Sequence, residues 1–290
     1  MQKFIQYLES EKRSSVHTVA AYRSDLEQFL QFIQIHFEVD DLLLVNSMMV
    51  RSWLSHWIDQ GMAVSTVHRK LSSLQAYYRF QIKQGQLTQN PIKGIAKPKK
   101  PSVLPQYLEI SQAEQMYLEE ATDWESMRNG VIIKLLYETG MRRSELLGIK
   151  KSDIDTNKGQ VRVLGKRSKV RVIPLSPTLS AELDQLMREN LAVSATGQAV
   201  FIQSNGEPLS TFQLYQIVKK KLTQWTTMRK RSPHILRHSF ASHMLNQGAD
   251  LNVIKEILGH SSLAATQVYT HLNIEKLKGI HRLLHPRNED

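Results

Sequence analysis

The chain has 290 residues, 41% of them hydrophobic, and no cysteine. Two domains with proper cores are therefore expected, and disulfide scaffolds, cysteine-zinc sites, thiol nucleophiles and iron–sulfur clusters are excluded. Lys and Arg number 38 against 27 Asp and Glu, a formal net charge of +11, which favours a polyanionic partner, nucleic acid before membrane surface. No apolar stretch approaches the ~20 residues of a membrane span, and the opening residues lack a signal-peptide core, so a cytoplasmic protein that meets DNA or RNA is expected.

In chain order, the first ninety residues predict helices. Val19, Tyr22, Leu26, Phe29, Leu30 and Ile33 recur at three- and four-residue steps, as do Val67, Leu71, Leu74, Tyr78 and Ile82, with Ser65 as the expected N-cap. Shorter helical runs sit near Lys3–Leu8 and Met48–Ile58, and Gly61 and Gly85 read as stops. The helix from Ser65 presents Ser65, His68, Arg69, Lys70 and Ser73 opposite its apolar stripe. That set is expected to make a groove-and-phosphate contact with DNA, a solvated face being the alternative.

Residues 89–106 hold four of the nine prolines, and Lys97, Lys99 and Lys100 lie among them. An extended basic linker is expected there, solvated or laid along a phosphate backbone. The second half, 107–290, opens on the capping pattern Ser111-Gln112-Ala113-Glu114. A buried helix through Val131–Tyr137 stops at Gly140, and Arg142 and Arg143 begin the next. Alternation at Val161 and Val163, then at Val170, Val172 and Pro174, predicts a β-hairpin. Its tip is basic, with Lys166, Arg167 and Lys169. A short strand is expected at Ala199–Ile202 and helices elsewhere after Ser176. The fold class is mainly α with a small antiparallel sheet: a helical bundle followed by an α+β domain.

Several residues could carry chemistry, and each alone has an ordinary structural explanation. Paired arginines at a helix start oppose the macrodipole unless an anion sits there. His234 and Arg237 share a helix face at i, i+3. His234 and His238 have the spacing of the H-E-x-x-H zinc helix, but position 235 is Ile, so the general base is missing.

Taken together, Arg142, Lys166, His234, Arg237, His260 and Tyr269 resemble the tyrosine recombinase (phage-integrase-type) family. Thr139-Gly140-Met141-Arg142-Arg143-Ser144-Glu145-Leu146 is similar to the family's first-arginine box. His234-Ile235-Leu236-Arg237-His238 is similar to its second, and Leu258-Gly259-His260 with Thr266-Gln267-Val268-Tyr269 to its nucleophile region. His285-Pro286-Arg287 resembles the ending of the Xer-like subgroup. Met141, Arg143, Arg167 and Ala265 depart from the usual pattern without removing a catalytic group. The resemblance covers the whole chain: a SAM-like front module, a linker and a catalytic domain.

The resemblance implies a nucleophile at Tyr269 and phosphorane stabilisation by Arg142, Arg237 and His260. A phosphorane gathers charge on its non-bridging oxygens, which guanidinium forks match. His234 is then the candidate base and Lys166 the general acid for the leaving 5′ oxygen. The bond energy stays in a phosphotyrosine, so no nucleotide, metal or other cofactor is expected. Double-stranded DNA is the implied partner, with a tetramer of one or two kinds of subunit and a septal DNA translocase as a further possible partner. Chromosome-dimer resolution is the favoured role; a mobile-element integrase or resolvase, a type IB-like topoisomerase, a non-catalytic DNA binder and an RNA binder are the alternatives. Behind Asn273, the spacing of Ile274, Leu277, Ile280 and Leu284 predicts an amphipathic helix; its apolar stripe is expected either on its own domain or, as the resemblance implies, on a neighbouring subunit.

Overall fold

The computed structural model describes residues 1–99, 106–165, 169–193 and 197–259. The chain divides into two compact units, Met1–Val103 and Leu104–Asp290, so the division falls inside the Pro/Lys-rich stretch. The helix expected behind Asn273 lies outside the described residues.

In the first unit four helices, α1 (Gln2–Ser10), α2 (Val16–Phe37), α3 (Ser47–Asp59) and α4 (Val64–Lys83), enclose one core. The apolar periodicity of α2 and α4 turns Leu26, Phe29, Ile33, Val67, Leu71, Leu74 and Tyr78 inward. Phe29 and Trp53 rings meet there with centroids 4.8 Å apart. Burying each such side chain contributes about 1.5–3 kcal/mol before entropy costs.

Two local expectations shift. Helix α4 starts one residue before Ser65, with Ala63 at its N-cap and no side-chain cap; Ser65 stands exposed in the first turn. The start of the linker is not simply extended, because Ile92 is buried in the front core and Ile95 packs against it. Lys97 and Lys99 are exposed, and Lys100 lies outside the described residues.

The polar set on α4 divides. Arg69 is exposed and pairs with Asp25 of α2, while His68 donates from Nε2 to the Pro98 carbonyl at 2.6 Å. Lys70 and Ser73, expected on the outer face, are buried instead. Lys70 reaches Asp25 at 3.4 Å and Gln28, with the Trp57 ring 4.6 Å and the Trp53 ring 5.1 Å from its ammonium. Ser73 donates to the Lys70 carbonyl. A partner carboxylate on another helix is what lets that face turn inward.

In the second unit α6 (Trp124–Thr139) is central, packed by α8 (Pro177–Val193) and α10 (Pro233–Asn246). That explains its near-continuous apolar run: Val131, Ile132, Ile133, Leu135 and Leu136 are all buried. Around it stand α5 (Ile110–Leu118), α7 (Arg143–Leu147), α9 (Thr211–Trp225) and α11 (Leu251–Leu258). The capping pattern of α5 falls two residues earlier than expected, with the Gln112 side chain accepting from the Glu109 N–H.

A three-stranded antiparallel sheet, β1 (Ile154–Asp155), β2 (Gln160–Leu164) and β3 (Val170–Pro174), runs in that order. Val161 and Val163 point into the core opposite Ile173 and Arg171. Val170 and Val172 therefore face outward. Residues 199–202 make isolated bridges, Lys150 to Ala199 and Ile202 to Pro208, rather than a ladder strand.

Candidate active site

Helix α6 ends at Gly140, whose φ of +57° closes the helix in the left-handed region. Close packing also demands glycine there: a Cβ would lie 2.5 Å from Phe240 Cδ1 and 2.7 Å from Leu258 Cδ2. The chain then enters α7 with Arg142 at its N-cap. The anion that a helix start with two arginines requires is Glu145, three residues on. Its Oε2 accepts from the Arg142 backbone N–H at 2.7 Å, and its Oε1 from the Arg142 guanidinium at 2.8 Å.

The same carboxylate takes a fork from Arg171 of β3, NH2 to Oε2 at 2.8 Å and NH1 to Oε1 at 3.2 Å. Burial opposes ionisation of Glu145, but the bonds from Arg171 and Arg142 outweigh it and hold the carboxyl below its usual value.

Helix α10 begins with Pro233 at its first turn and carries His234 and Arg237. Arg237 is buried and donates to the carbonyls of Gly140 at 2.5 Å and Leu258 at 2.7 Å. Arg142 donates to Gly259 at 3.2 Å and Arg171 Nε to Ile257 at 2.6 Å. Three consecutive carbonyls at the end of α11 thus each receive a different arginine. The negative end of a helix macrodipole suits them. The guanidiniums of Arg142 and Arg237, 95 residues apart in sequence, are brought to neighbouring carbonyls.

His234 lies at the same surface. Partial desolvation and then the positive charges of Arg143, Arg237 and Arg142 lower its pKa, so a neutral imidazole with an accepting nitrogen is favoured. Further along α10, Ser239 and His243 clasp Leu108. Ser239 Oγ accepts from the Leu108 N–H, and His243 Nε2–H donates to its carbonyl at 2.8 Å. His243 Nδ1 accepts from Tyr137 Oη at 2.8 Å; burial lowers the His243 pKa.

Of the expected site residues, Arg142, His234 and Arg237 come together. Lys169, at the foot of β3, is exposed. Lys166, Arg167, His260 and Tyr269 lie outside the described residues. Sequence reading missed Glu145, Arg171, Ser239 and His243. The requirement for an anion near Arg142 could have found Glu145; the alternation of β3, read by its valines, concealed Arg171.

The phage integrase family model matches residues 106–276, and the phage integrase N-terminal SAM-like domain model matches residues 1–85. The chain belongs to the phage integrase family. It is similar to the tyrosine recombinase XerC of Pediococcus pentosaceus, 35% identical over 99% of this chain and 98% of that one. It is also 32% identical to the tyrosine recombinase XerC of Chlorobaculum parvum, over 99% of this chain and 94% of the other. The crystal structure of the XerH site-specific recombinase on a palindromic difH substrate, a post-cleavage complex, superposes with a TM-score of 0.78. That match covers 94% of this chain and 81% of XerH at 23% identity, and so shows the fold. The family match and the XerC relatives support site-specific tyrosine recombination, a DNA strand-transfer chemistry, for this integrase-family chain. Among the described residues no helix is long and apolar enough to cross a membrane.

Proposed function

We propose that this recombinase cuts and rejoins duplex DNA through a 3′-phosphotyrosyl intermediate on Tyr269, resolving chromosome dimers at cell division. The observation that carries the reading is the cluster at the end of α11. Two guanidiniums, those of Arg142 and Arg171, share the Glu145 carboxylate, Arg237 is fixed on the Gly140 and Leu258 carbonyls, and Arg142, 36% exposed, is open to a ligand. A cationic excess fixed on helix-end carbonyls is what a phosphorane requires.

In the proposed reaction the Tyr269 hydroxyl attacks phosphorus, with His234 taking its proton. Arg142, Arg237 and His260 neutralise the non-bridging oxygens, and Lys166 protonates the departing 5′ oxygen. A 5′-hydroxyl from a partner site reverses the step. The phosphotyrosine conserves the bond energy, so no step requires a metal ion or ATP.

The domain plan proposed is a helical DNA-binding module over 1–88, a linker over 89–106 and a catalytic domain over 107–290. Exposed Ser65, Arg69, Lys97, Lys99 and Lys169, with half-buried His68 and with Lys100 and Arg167, supply the DNA contacts. Assembly is as a tetramer on two sites in the cytoplasm, with one or two kinds of subunit and a septal DNA translocase as activator.

The test is a duplex carrying a nick near the cleavage position, which traps the covalent intermediate. The wild type should accumulate a protein–DNA adduct, and Tyr269→Phe should bind the same DNA without forming one. An undiminished adduct in that variant would refute the nucleophile. Strand-exchanged products between paired sites, rather than relaxed supercoils alone, separate recombination from a topoisomerase activity.

A further inference from the structure

We infer that Arg171 is a positioning residue for DNA cleavage, holding the guanidiniums of Arg142 and Arg237 in register without itself meeting the phosphate. The inference rests on the recombinase reading above. Every nitrogen of Arg171 is committed to protein: Nε to the Ile257 carbonyl, NH1 and NH2 to the Glu145 carboxylate. The side chain is 12% exposed and Glu145 6%.

Its two anchors are the two supports of the arginine pair. Glu145 binds both the backbone and the guanidinium of Arg142. Ile257 precedes Leu258 and Gly259, whose carbonyls hold Arg237 and Arg142. Packing leaves little slack, since a Cβ at Gly259 would lie 3.2 Å from Arg171 NH1. Arg171 therefore ties β3, the start of α7 and the end of α11 at one point. A lysine keeps the charge but, as a point donor without a planar fork, cannot hold both anchors in this geometry. A small misplacement of groups that must meet a transition state costs about 10²-fold in rate.

The experiment is single-turnover cleavage of the nicked duplex by Arg171→Lys, Arg171→Gln, Glu145→Gln and the Arg171→Gln/Glu145→Gln double variant, with DNA affinity and melting measured on each. Arg171→Lys should melt cooperatively, bind DNA within about threefold of wild type and cleave about 10²-fold more slowly. The double variant should be no slower than the worse single, because both changes break the same Arg171–Glu145 contact. Wild-type cleavage by Arg171→Lys, an equal loss of DNA affinity, or multiplicative defects in the double variant would overturn the inference alone. No adduct from the wild-type protein would overturn the recombinase reading and this inference with it.

Discussion

In the first unit a lysine ammonium is enclosed by two indoles, a carboxylate and a glutamine; in the second, two guanidiniums share one carboxylate and three meet the end of one helix. Lys70 and Asp25 are 2% and 1% exposed, and burial lowers the Lys70 pKa against the pull of Asp25. Asp25 also takes the exposed Arg69; its sealed contact with Lys70 costs desolvation and ties α2 to α4. Around Glu145 the two cations are both planar forks, joined by Arg237 at the end of α11, and Arg142 reaches the surface. A compact ammonium can be closed over completely, whereas planar forks bind protein carbonyls on one side and present charge on another. The first arrangement closes over its lysine, and the second leaves part of Arg142 at the surface.

The largest effect should come from breaking the sealed pair. Asp25→Ala leaves Lys70 as an uncompensated buried charge and should destabilise the front unit by about 3–5 kcal/mol, read from denaturant unfolding. Arg142→Gln should do the opposite kind of damage. Cleavage of the nicked duplex should fall about 10²–10³-fold, equivalent to about 2.7–4 kcal/mol of barrier, while the melting temperature changes little. If Arg142→Gln unfolds the protein, or Asp25→Ala abolishes cleavage without loss of stability, the contrast between the two regions fails.

Much of this was legible in sequence where one periodicity sufficed. The stripes of α2 and α4, the stop at Gly140 and the two hairpin strands all follow from local pattern. What failed depended on partners distant in sequence. Lys70 and Ser73 looked outward-facing because Asp25 lies 45 positions from Lys70 in the chain. Arg171 was hidden because the valines of β3 suggested the inward face, whereas its register opposite Val163 turns Arg171 toward Glu145. The clasp of Leu108 by Ser239 and His243 spans more than 130 residues and has no local signature. At the site, Arg142, Arg237 and His234 were recognisable by motif, while the carbonyls that hold the arginines are backbone and carry no residue-type signal.

A smaller effect sharpens the comparison within the second unit. Gly140→Ala must place a Cβ against Phe240 and Leu258 at a positive φ. It should cost about 1–3 kcal/mol and slow cleavage too, because the Gly140 carbonyl holds Arg237. Equal melting and cleavage to wild type would separate the turn from the site.

The smallest effect concerns pH. The folded pKa of His243 is depressed by burial below the ordinary 6.5, so on acidification the unfolded chain takes up its proton first. Stability must then fall as pH falls through and below the ordinary histidine range. His234 and His238 are depressed as well and steepen the same slope. The melting temperature should drop between about pH 7.5 and about pH 5.5, and His243→Gln should flatten that drop. An unchanged slope in the variant would remove His243 from the account.

The central claim is that Arg142 and Arg237 neutralise charge on the scissile phosphate. Its most direct measurement compares single-turnover cleavage of a nicked duplex with that of the same duplex bearing an uncharged methylphosphonate at the scissile position. With the charge removed from a non-bridging oxygen, one arginine loses its task. The defect of Arg142→Gln or Arg237→Lys, relative to wild type on each substrate, should shrink from about 10²-fold or more on phosphate to less than about tenfold on methylphosphonate. Equal defects of both variants on the two substrates would show that these arginines hold the fold and not the phosphate.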